Sequence, residues 1–406
     1  MLDNNGNGDR PAAIVVGGGP AGLTAAITLA GAGLATVLVG KRPARPDHRT
    51  TALFAGSVTA LETLGVWGLC AAQASPLKTM RIVDDTGRLW RAPEVKFDAD
   101  EIGLDAFGYN IENYHLVAAL EQRAGALPSL RVIEDEVRSV TPGDDTVTVA
   151  LKSRAEVSAP LLIAADGRRS LCRAAAGIAV DERDYKQVAV TACLKHTRPH
   201  RDSSTEFHTV SGPFTLVPLP GLRSSLVWVL DPMQAEVIAA LDDTELAAEI
   251  ERASHSILGK ITIEPGRGVF PLSVATAKRF ADRRIALVGE AAHVIPPIGA
   301  QGLNLGLRDA ASIGELAVAA QRDGRDIGGG DVLAAYEKMR RADVGTRTLA
   351  IDLLNRTLLT DFLPVQGMRG LGLYMIDRIG PLRRAVMREG VQPAAAQPRL
   401  MRGEAL

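Results

Sequence analysis

Residues 13–39, AIVVGGGPAGLTAAITLAGAGLATVLV, predict a strand, a glycine turn, a helix and a second strand in direct succession. Within this stretch Gly17, Gly19 and Gly22 give the spacing G-x-G-x-x-G immediately after the first apolar run. In such a turn the first glycine allows the tight bend, the second lets the backbone approach a pyrophosphate, and the third lets the helix pack closely on the strand. The motif alone is weak evidence, but its position between a strand and a helix favours a dinucleotide site over a ligand-free turn.

The end of the second strand departs from the usual dinucleotide pattern. An acidic residue normally stands there and accepts hydrogen bonds from the adenosine ribose, whereas this strand ends Val39-Gly40-Lys41-Arg42. Gly40 therefore occupies the carboxylate position. The basic pair is open to two interpretations: it binds the 2′-phosphate of NADP, or it begins a solvent-exposed loop.

The composition limits the class of protein. With 406 residues, of which 46% are hydrophobic, the chain has length for two domains or for one large α/β domain with an insertion. The formal net charge of −1 argues against nucleic acid as a partner, because phosphate binding needs a clustered basic surface. The three cysteines are widely separated, which predicts neither a structural zinc site nor a disulfide framework and favours a reducing cytoplasm.

The ends of the sequence show no targeting pattern. Residues 1–11 are polar at their start and are expected to form a flexible leader rather than a secretory signal. No uninterrupted apolar stretch of the sequence has the length needed to cross a bilayer. The expected protein lies in the cytoplasm or at a membrane surface.

A second strand, loop and helix are predicted at residues 284–310, RIALVGEAAHVIPPIGAQGLNLGLRDA. Residues 284–288 form an apolar run short enough for a buried strand, and the glycines and prolines of 296–302 prevent regular structure before a helix expected from Leu303. The free N–H groups at the start of that helix favour partial negative charge. The segment is either an ordinary connection or the floor of a site in which a flat ligand lies against bare backbone.

The middle of the chain alternates helices and strands before it becomes β-rich. We expect helices over 51–64 and 116–123, a hairpin formed by 130–140 and 146–151, and a buried strand over 161–164 that ends near Asp166. Successive strands are predicted from 188 to 230, and Asp231-Pro232 caps a helix that breaks near Asp242 and continues to about Ile257. This pattern predicts a β-rich unit packed against an α/β unit.

Three motifs, in this order along the chain, resemble those of a known family. The glycine turn at 17–22, the strand end Asp166-Gly167 and the stretch LVGEAAHVIPPIGAQGLNLGLRDA at 287–310 resemble the signatures of flavin-dependent aromatic hydroxylases of the p-hydroxybenzoate hydroxylase fold. Further stretches are similar to the ubiquinone-biosynthesis branch of that family: HRTTALFAGSVTALETLGVW at 48–67, YNIENYHLVAAL at 109–120 and FTLVPLPGLRSSLVWVL at 214–230. The similarity covers most of residues 12–310 and is loose beyond them.

The resemblance implies an α/β fold with a Rossmann-like FAD-binding domain, an inserted β-sheet substrate domain and a helical C-terminal region. It also favours FAD over NADP at the first glycine turn. The implied FAD-binding domain comprises 12–75, 110–187 and 274–325, the β-rich substrate domain comprises 76–109 and 188–273, and the helical region comprises 326–406.

The resemblance also implies cofactor roles residue by residue. The first glycine turn would receive the pyrophosphate of non-covalently bound FAD, Arg49 would reach the cofactor, and Glu290 stands where the family has an Asp that binds the ribityl chain. Backbone N–H groups of the late loop would face the N1 and O2 edge of the flavin, where a helix N-terminus stabilises the negative charge of the reduced ring. The implied cofactor-binding residues are Gly17, Gly19, Pro20, Ala21, Gly22, Lys41, Arg42, Arg49, Asn113, Asp166, Gly167, Gly289, Glu290, Pro297, Gly299, Ala300, Gln301, Gly302, Leu303 and Asn304.

Several residues have plain structural alternatives. Arg49 would otherwise be a surface charge, and Asp166 would belong to a simple turn after a strand. His293 has no obvious partner at metal-ligand spacing, so we expect it to be structural and expect no metal site. No catalytic residue is assigned from the sequence. The strand aromatics are expected in a core rather than in a substrate wall: Phe207, Phe214 and Trp228.

The implied reaction needs few acid or base groups from the protein. NAD(P)H or another reductant would reduce FAD, O2 would give a flavin C4a-hydroperoxide, and one oxygen atom would pass to the aromatic ring of a polyprenylated phenol in ubiquinone biosynthesis. The sequence has no second dinucleotide motif, so the nicotinamide donor would dock transiently. Two alternatives stay open: a flavin-dependent reductase or oxidase of an isoprenoid substrate, and a non-catalytic member of a quinone-biosynthesis complex.

Two residues depart from the family pattern. Gly40 removes a charged acceptor for the ribose, and Glu290 carries one methylene more than the usual Asp. Both departures predict weakened FAD binding, since hydrogen bonds to charged groups contribute about 1.5–3 kcal/mol. On this reasoning Gly40→Glu is expected to tighten FAD binding.

The segment 362–390 bears on where the protein is located in the cell. It mixes apolar side chains with five arginines, a pattern typical of a helix at a membrane surface. The alternative is an amphipathic helix packed on its own domain. The expected location is therefore the cytoplasm, with peripheral attachment at the inner face of the membrane, and oligomer formation is left open.

Overall fold

The structure is a computed structural model that describes residues 10–41, 47–87, 93–359, 378–391 and 397–406, with only the backbone described for Ile298 and for 348–359. Arg42, residues 1–9 of the expected leader and residues 362–377 of the expected surface segment lie outside the described residues. The helices are α1 Pro20–Gly31, α2 Ala55–Thr63, α3 Asn113–Gly125, α4 Leu171–Ala175, α5 Pro232–Ala240, α6 Asp243–Ala253, α7 Gln301–Arg322, α8 Gly330–Leu359 and α9 Gly380–Val391.

The strands fall into an N-terminal series, a central series and a C-terminal series. The N-terminal series is β1 Ala13–Val16, β2 Thr36–Val39, β3 Thr50–Phe54, β4 Ala74–Pro76, β5 Thr79–Asp84, β6 Val95–Asp98, β7 Gly108–Glu112 and β8 Leu130–Ile133. The central series is β9 Val137–Pro142, β10 Val147–Leu151, β11 Glu156–Ala159, β12 Leu161–Ala164, β13 Val180–His196, β14 Ser203–His208, β15 Pro213–Leu219 and β16 Arg223–Leu230. The C-terminal series is β17 Ile261–Ile263, β18 Gly268–Ala277, β19 Ala281–Asp282, β20 Ile285–Leu287 and β21 His293–Val294.

The glycine turn belongs to a mainly parallel sheet. Its strand order is β19-β20-β12-β1-β2-β8, and all neighbours except β19 and β20 run parallel. The central strands β1, β2 and β12 are buried along their whole length, as expected of parallel strands covered on both faces. Because the strands are parallel, the carboxyl ends of β20, β12, β1, β2 and β8 meet at one edge of the sheet, where ligands bind in open α/β folds.

The β-rich unit is built on a larger sheet. Its order is β21-β18-β13-β16-β15-β14-β5-β6, with β17 paired to β13. On one face Phe207, Phe214 and Trp228 pack with α5 and α6, and their rings meet edge to face at centroid distances of 5.8 and 5.0 Å. The expectation that these aromatics belong to a core is therefore confirmed.

Two predicted elements differ from the structure. Of the helix expected over 51–64, the first residues form β3, which pairs with β7, and α2 begins only at Ala55. Of the hairpin expected over 130–151, β9 and β10 do pair antiparallel, but the first residues, Leu130–Ile133, join β2 in the parallel sheet instead. In both places a short apolar run was compatible with more than one pairing partner.

The C-terminal region is helical and returns to both units. Met387 and Val391 of α9 are buried with Phe97 and Phe107 beside the large sheet. Leu400 and Met401 are buried in the core of the α/β unit, where their segment contacts α2. Within the described residues, no helix combines the length and apolar character needed to span a membrane.

Candidate cofactor and active site

The predicted site residues converge on the carboxyl edge of the parallel sheet. Gly17 follows β1, Gly40 follows β2, Asp166 follows β12 and Gly289 follows β20. The loop before α7 packs against the same edge through contacts between α7 and the segment after β20. A cavity of about 850 Å³ lies at the opposite end of β20, lined by residues at the end of β9, just before β20 and at the start of α8, and it holds none of the predicted cofactor residues.

The first glycine turn leaves no room for side chains where the motif requires glycine. Gly17 has φ +121°, and a Cβ there would overlap the carbonyl oxygen of Ala165. A Cβ at Gly22 would overlap the carbonyl oxygen of Gly17. By contrast, no described atom lies within 4 Å of a Cβ placed on Gly19, which precedes the first residue of α1, Pro20. The turn therefore presents bare backbone and the positive end of α1 to open space, as a pyrophosphate requires.

Gly40 is required by packing and is not simply a missing ligand. A Cβ at residue 40 would lie 2.5 Å from the amide nitrogen and 2.9 Å from the Cα of Gly18. This contact argues against the expectation that Gly40→Glu tightens FAD binding, because the new side chain would meet the backbone of the pyrophosphate turn. Beside it, the exposed Lys41 forms an ion pair with Glu136, which follows β8. The Glu136 carboxylate therefore lies at the same edge of the sheet, just after the neighbouring strand β8.

The second fingerprint contains a carboxylate already engaged by the protein. Asp166 Oδ1 accepts a hydrogen bond from the Ser170 hydroxyl at 2.5 Å, and Oδ2 accepts one from the Cys172 amide at 3.1 Å. Gly167 has φ +81°. These contacts shape the turn that leads into α4, so the structural alternative for Asp166 accounts for its side chain. The contribution of this turn to FAD binding stays a prediction.

Arg49 and Asn113 meet at one acidic side chain. Asp47 binds Arg49 through two hydrogen bonds of 2.8 and 2.7 Å, and its Oδ2 accepts a third from Asn113 at 2.9 Å. Burial raises the pKa of Asp47, but the bonds from Arg49 and Asn113 outweigh burial and lower it. The Arg49 guanidinium also lies over the Phe270 ring, 5.2 Å from its centroid. Asp47 and Phe270 together fix the position of the Arg49 guanidinium.

The loop after β20 brings three small residues into contact. A Cβ on Gly306 of α7 would lie 3.2 Å from the Cα of Gly289 and 3.4 Å from the Cβ of Ala21. Ala21 is therefore a packing residue between α1 and α7. Glu290 is exposed next to this contact. The hydrogen bonds that Arg49 donates to Asp47 are the main cause of the raised pKa of Arg49, and the charge of Glu290 adds a smaller contribution. Arg49 therefore lies within electrostatic range of Glu290.

The late loop ends in two consecutive left-handed residues. Gly299 has φ +68° and Ala300 has φ +51°, and α7 begins at Gln301, two residues before the predicted start. A non-glycine residue in this conformation is strained by about 1–3 kcal/mol, a feature that clusters at ligand sites. The N-cap residue of α7, Ala300, makes no side-chain capping hydrogen bond, so no N-cap side chain occupies the first amide groups of the helix.

Asn304 secures this loop. Its side-chain oxygen accepts a bond from the Phe54 amide at 2.9 Å, and its nitrogen donates to the carbonyls of Ala52 at 2.8 Å and Ala300 at 2.7 Å. The side chain is buried. Asn304 therefore ties the start of α7 to β3 and holds the left-handed loop, while the backbone of Gly302 and Leu303 remains part of the surface. Pro297 is exposed at the start of the loop.

A buried ionic network behind the loop was not predicted. Asp309 accepts hydrogen bonds from the Gly289 amide at 2.9 Å, from His293 Nε2 at 2.7 Å and from Arg340 Nε at 2.6 Å. Burial raises the pKa of Asp309, but the charge of Arg340 and the bonds from His293 and Gly289 outweigh it and hold the pKa below its ordinary value. His293 is thus structural, as expected. Asp343 extends the network by accepting from Arg340, Arg308 and Arg347.

The residues present fit FAD. Two glycines that no side chain can replace form a cradle for a pyrophosphate, and a strained loop ahead of α7 offers amide groups to a planar ring. No cluster of His, Cys, Asp and Glu within the described residues has the arrangement of a metal site. A glycine cradle and a helix N-terminus on one edge of a parallel sheet define a dinucleotide-binding protein of the Rossmann-like class.

The chain belongs to the family described as FAD binding domain, whose profile matches residues 10–350. It is 36% identical over 409 residues to the ubiquinone hydroxylase UbiL of Rhodospirillum rubrum, covering 98% of this chain and 94% of that protein. It is 33% identical over 383 residues to the 3-demethoxyubiquinol 3-hydroxylase of Escherichia coli, covering 92% and 96% of the two chains. The fold matches p-nitrophenol 4-monooxygenase of Pseudomonas putida with a TM-score of 0.78 at 20% identity, over 95% of this chain and 99% of that one. The chain is an FAD-dependent monooxygenase.

Proposed function

We propose that this monooxygenase hydroxylates the aromatic ring of a polyprenylated phenol, an intermediate of ubiquinone biosynthesis. The observation that carries the proposal is the near full-length similarity to two ubiquinone hydroxylases, with 98% and 92% of the chain covered. The pyrophosphate turn and the late loop supply the matching cofactor site on one sheet edge.

The protein contributes binding and electrostatics to this reaction. FAD, when bound, supplies the reduction and oxygen-transfer chemistry. Gly17 and Gly19 hold its pyrophosphate against bare backbone, and the amide groups at 299–302 stabilise negative charge on the pyrimidine side of the ring. Asn304 keeps those amides in place through its three hydrogen bonds.

We propose that the nicotinamide donor docks at the cavity beside Arg49. This cavity of about 350 Å³ is bordered by His48, Arg49, Arg267 and Phe270. Asp47 also borders this cavity and binds Arg49, so a phosphate of NADH or NADPH would bind Arg267 or compete with Asp47 for Arg49. The Phe270 ring suits a flat base.

Isotope labelling tests the function. Purified protein is incubated with FAD, a short-chain prenylated phenol, ¹⁸O₂ and either NADH or NADPH. The mass of the product is then measured by mass spectrometry. The proposal requires one ¹⁸O atom in the product. Oxidation of the reductant without labelled product would indicate the reductase or oxidase alternative, and a protein that takes up no FAD would indicate the non-catalytic one.

We propose that α9 places the enzyme on an anionic membrane surface. One face of α9 docks on the protein, since Arg383 binds Glu101 at 2.6 Å and lies 4.8 Å from the centroid of the Phe97 ring. The other face leaves an apolar stripe exposed, flanked by the exposed Arg384 and Arg388: Ile379, which directly precedes α9, Leu382 and Val386, at 42%, 37% and 43% exposure. Apolar insertion with arginines at the headgroups is the pattern of a surface-bound helix.

Vesicle flotation tests this surface. The triple serine variant of the stripe is expected to lose retention on vesicles containing anionic lipid, whereas the wild type is retained. The double variant Met233→Ser and Val237→Ser is the matched control, since these residues are exposed by 78% and 64% on α5. Equal retention of the stripe variant and the wild type would contradict the proposal.

A further inference from the structure

The side chain of Gln301 is directed toward α8. Its Oε1 accepts a hydrogen bond from Arg347 Nη1 at 2.7 Å, and Arg347 Nε donates to Asp343 Oδ1 at 3.0 Å. The Arg347 side chain is only 11% exposed. Gln301 is the first residue of α7, so a nearly buried guanidinium is anchored directly to the helix end that faces the cofactor.

The buried network around this contact carries an excess of positive charge. Asp343 faces three guanidiniums: Arg308 Nη1 at 3.0 Å, Arg340 Nη1 at 2.8 Å and Arg347 Nε at 3.0 Å. Asp309 is the second carboxylate, so three cations face two anions among the side chains that the structure describes here. A guanidinium keeps its charge even when burial opposes it. Arg308 Nε and Arg340 Nη2 are buried without a hydrogen-bond partner among the described residues, which leaves part of this charge uncompensated by local bonds.

The excess charge and the helix dipole act in the same direction. The N-terminus of α7 already carries about half a positive charge. Arg347 shares its counterion Asp343 with two other guanidiniums, so it adds net positive charge one hydrogen-bonded residue away, in a region shielded from water, where electrostatic effects are stronger. Reduction of a flavin places negative charge on its pyrimidine edge, so both contributions favour the reduced form over the oxidised form.

We propose that Arg347, anchored by Asp343 and Gln301, is a positioning residue that holds the start of α7 and stabilises the reduced form of bound FAD. This inference rests on FAD binding and not on the identity of the substrate. It makes α8, a helix outside the three sequence motifs, part of the control of flavin reactivity.

The midpoint potential of the bound flavin tests this inference. Arg347→Met is expected to bind reduced FAD about tenfold more weakly relative to oxidised FAD, which lowers the two-electron potential by about 30 mV. Arg347→Lys keeps the charge and is expected to restore most of the potential. Arg341→Met is the matched control, because this arginine of α8 is exposed and bonds instead to Glu337 and the Lys278 carbonyl.

A second variant separates this role from a merely structural one. Gln301→Ala breaks the link without removing a buried charge, and it is expected to lower the potential by less than Arg347→Met. In the Arg347→Met background it should add no further change. The inference is overturned if both single variants bind FAD with the wild-type potential. Failure of the labelling experiment above would leave these potentials unaffected, so the two proposals are tested separately.

Discussion

Gly40 approaches Gly18 so closely that the two residues form a side-chain-free contact between the end of β2 and the pyrophosphate turn. The contact explains why the usual carboxylate is absent at this strand end. A side chain at residue 40 would push the turn out of the position that FAD needs.

We expect Gly40→Glu to weaken FAD binding and to destabilise the protein. Overpacking of this kind costs about 1–3 kcal/mol. Flavin fluorescence titration and urea unfolding without FAD measure the two effects. Gly68→Ala is the control, because a Cβ there meets no described atom within 4 Å. Tighter FAD binding by Gly40→Glu would show that the turn can move aside at little cost.

Unlike Gly40→Glu, Gly19→Ala should not destabilise the protein in the absence of FAD. Gly19 has an ordinary φ of −78° and open space around a Cβ, so the free protein should keep its free energy of unfolding. The methyl group would occupy the approach of the pyrophosphate, and we expect FAD affinity to fall about ten- to a hundredfold. Thermal shift with and without FAD measures this, and an unchanged FAD-induced shift would exclude Gly19 from the site.

Asp309→Asn should be strongly destabilising. It leaves the buried Arg340 without one of its partners, and breaking a buried ion pair costs about 3–5 kcal/mol. Because the folded-state pKa of Asp309 is lowered, its stabilisation is present above the ordinary value of 3.8 and is lost as the pH falls below it. The free energy of unfolding of the variant should therefore depend less on pH than that of the wild type below about pH 5. Parallel pH slopes would contradict this role.

The three cysteines should resist thiol reagents in the folded protein. Burial raises the pKa of Cys70 to about 11 and that of Cys193 to about 12, and burial together with Asp166 raises the pKa of Cys172 further. At pH 8 the thiolate fraction of Cys70 is then about one in a thousand, so alkylation should be slow until denaturant is added. Mass spectrometry after brief iodoacetamide treatment checks this. Rapid native labelling at any of the three would show that its site opens.

Sequence patterns identified the parts of the site that depend on local geometry. Gly17 and Gly22 are constrained by backbone only a few residues away or on the adjoining strand, and their spacing alone predicts the turn. The role of Gly40 depends on a contact with Gly18, which is distant in sequence. From the sequence alone, Gly40 was therefore interpreted as the loss of the carboxylate that binds the ribose. Local patterns cannot show such a contact.

The buried network escaped prediction for a related reason. Arg340, Asp343 and Arg347 share one face of α8 at spacings of three and four residues, a pattern equally typical of a solvent-exposed helix. Only the packing of α8 against α7 places these charges in the interior.

The order of the parallel sheet governs when the cofactor site can exist. β1 lies between β2 and β12, and β12 in turn pairs with β20, which the chain reaches only at Ile285. The two glycine-bearing loops therefore become neighbours only after the whole β-rich unit has been synthesised, and pairings of such long sequence separation form slowly. A fragment that contains the first glycine turn alone should not hold FAD. FAD would therefore bind late in folding, and it would stabilise the association of β1 with β20 only after both strands have joined the sheet.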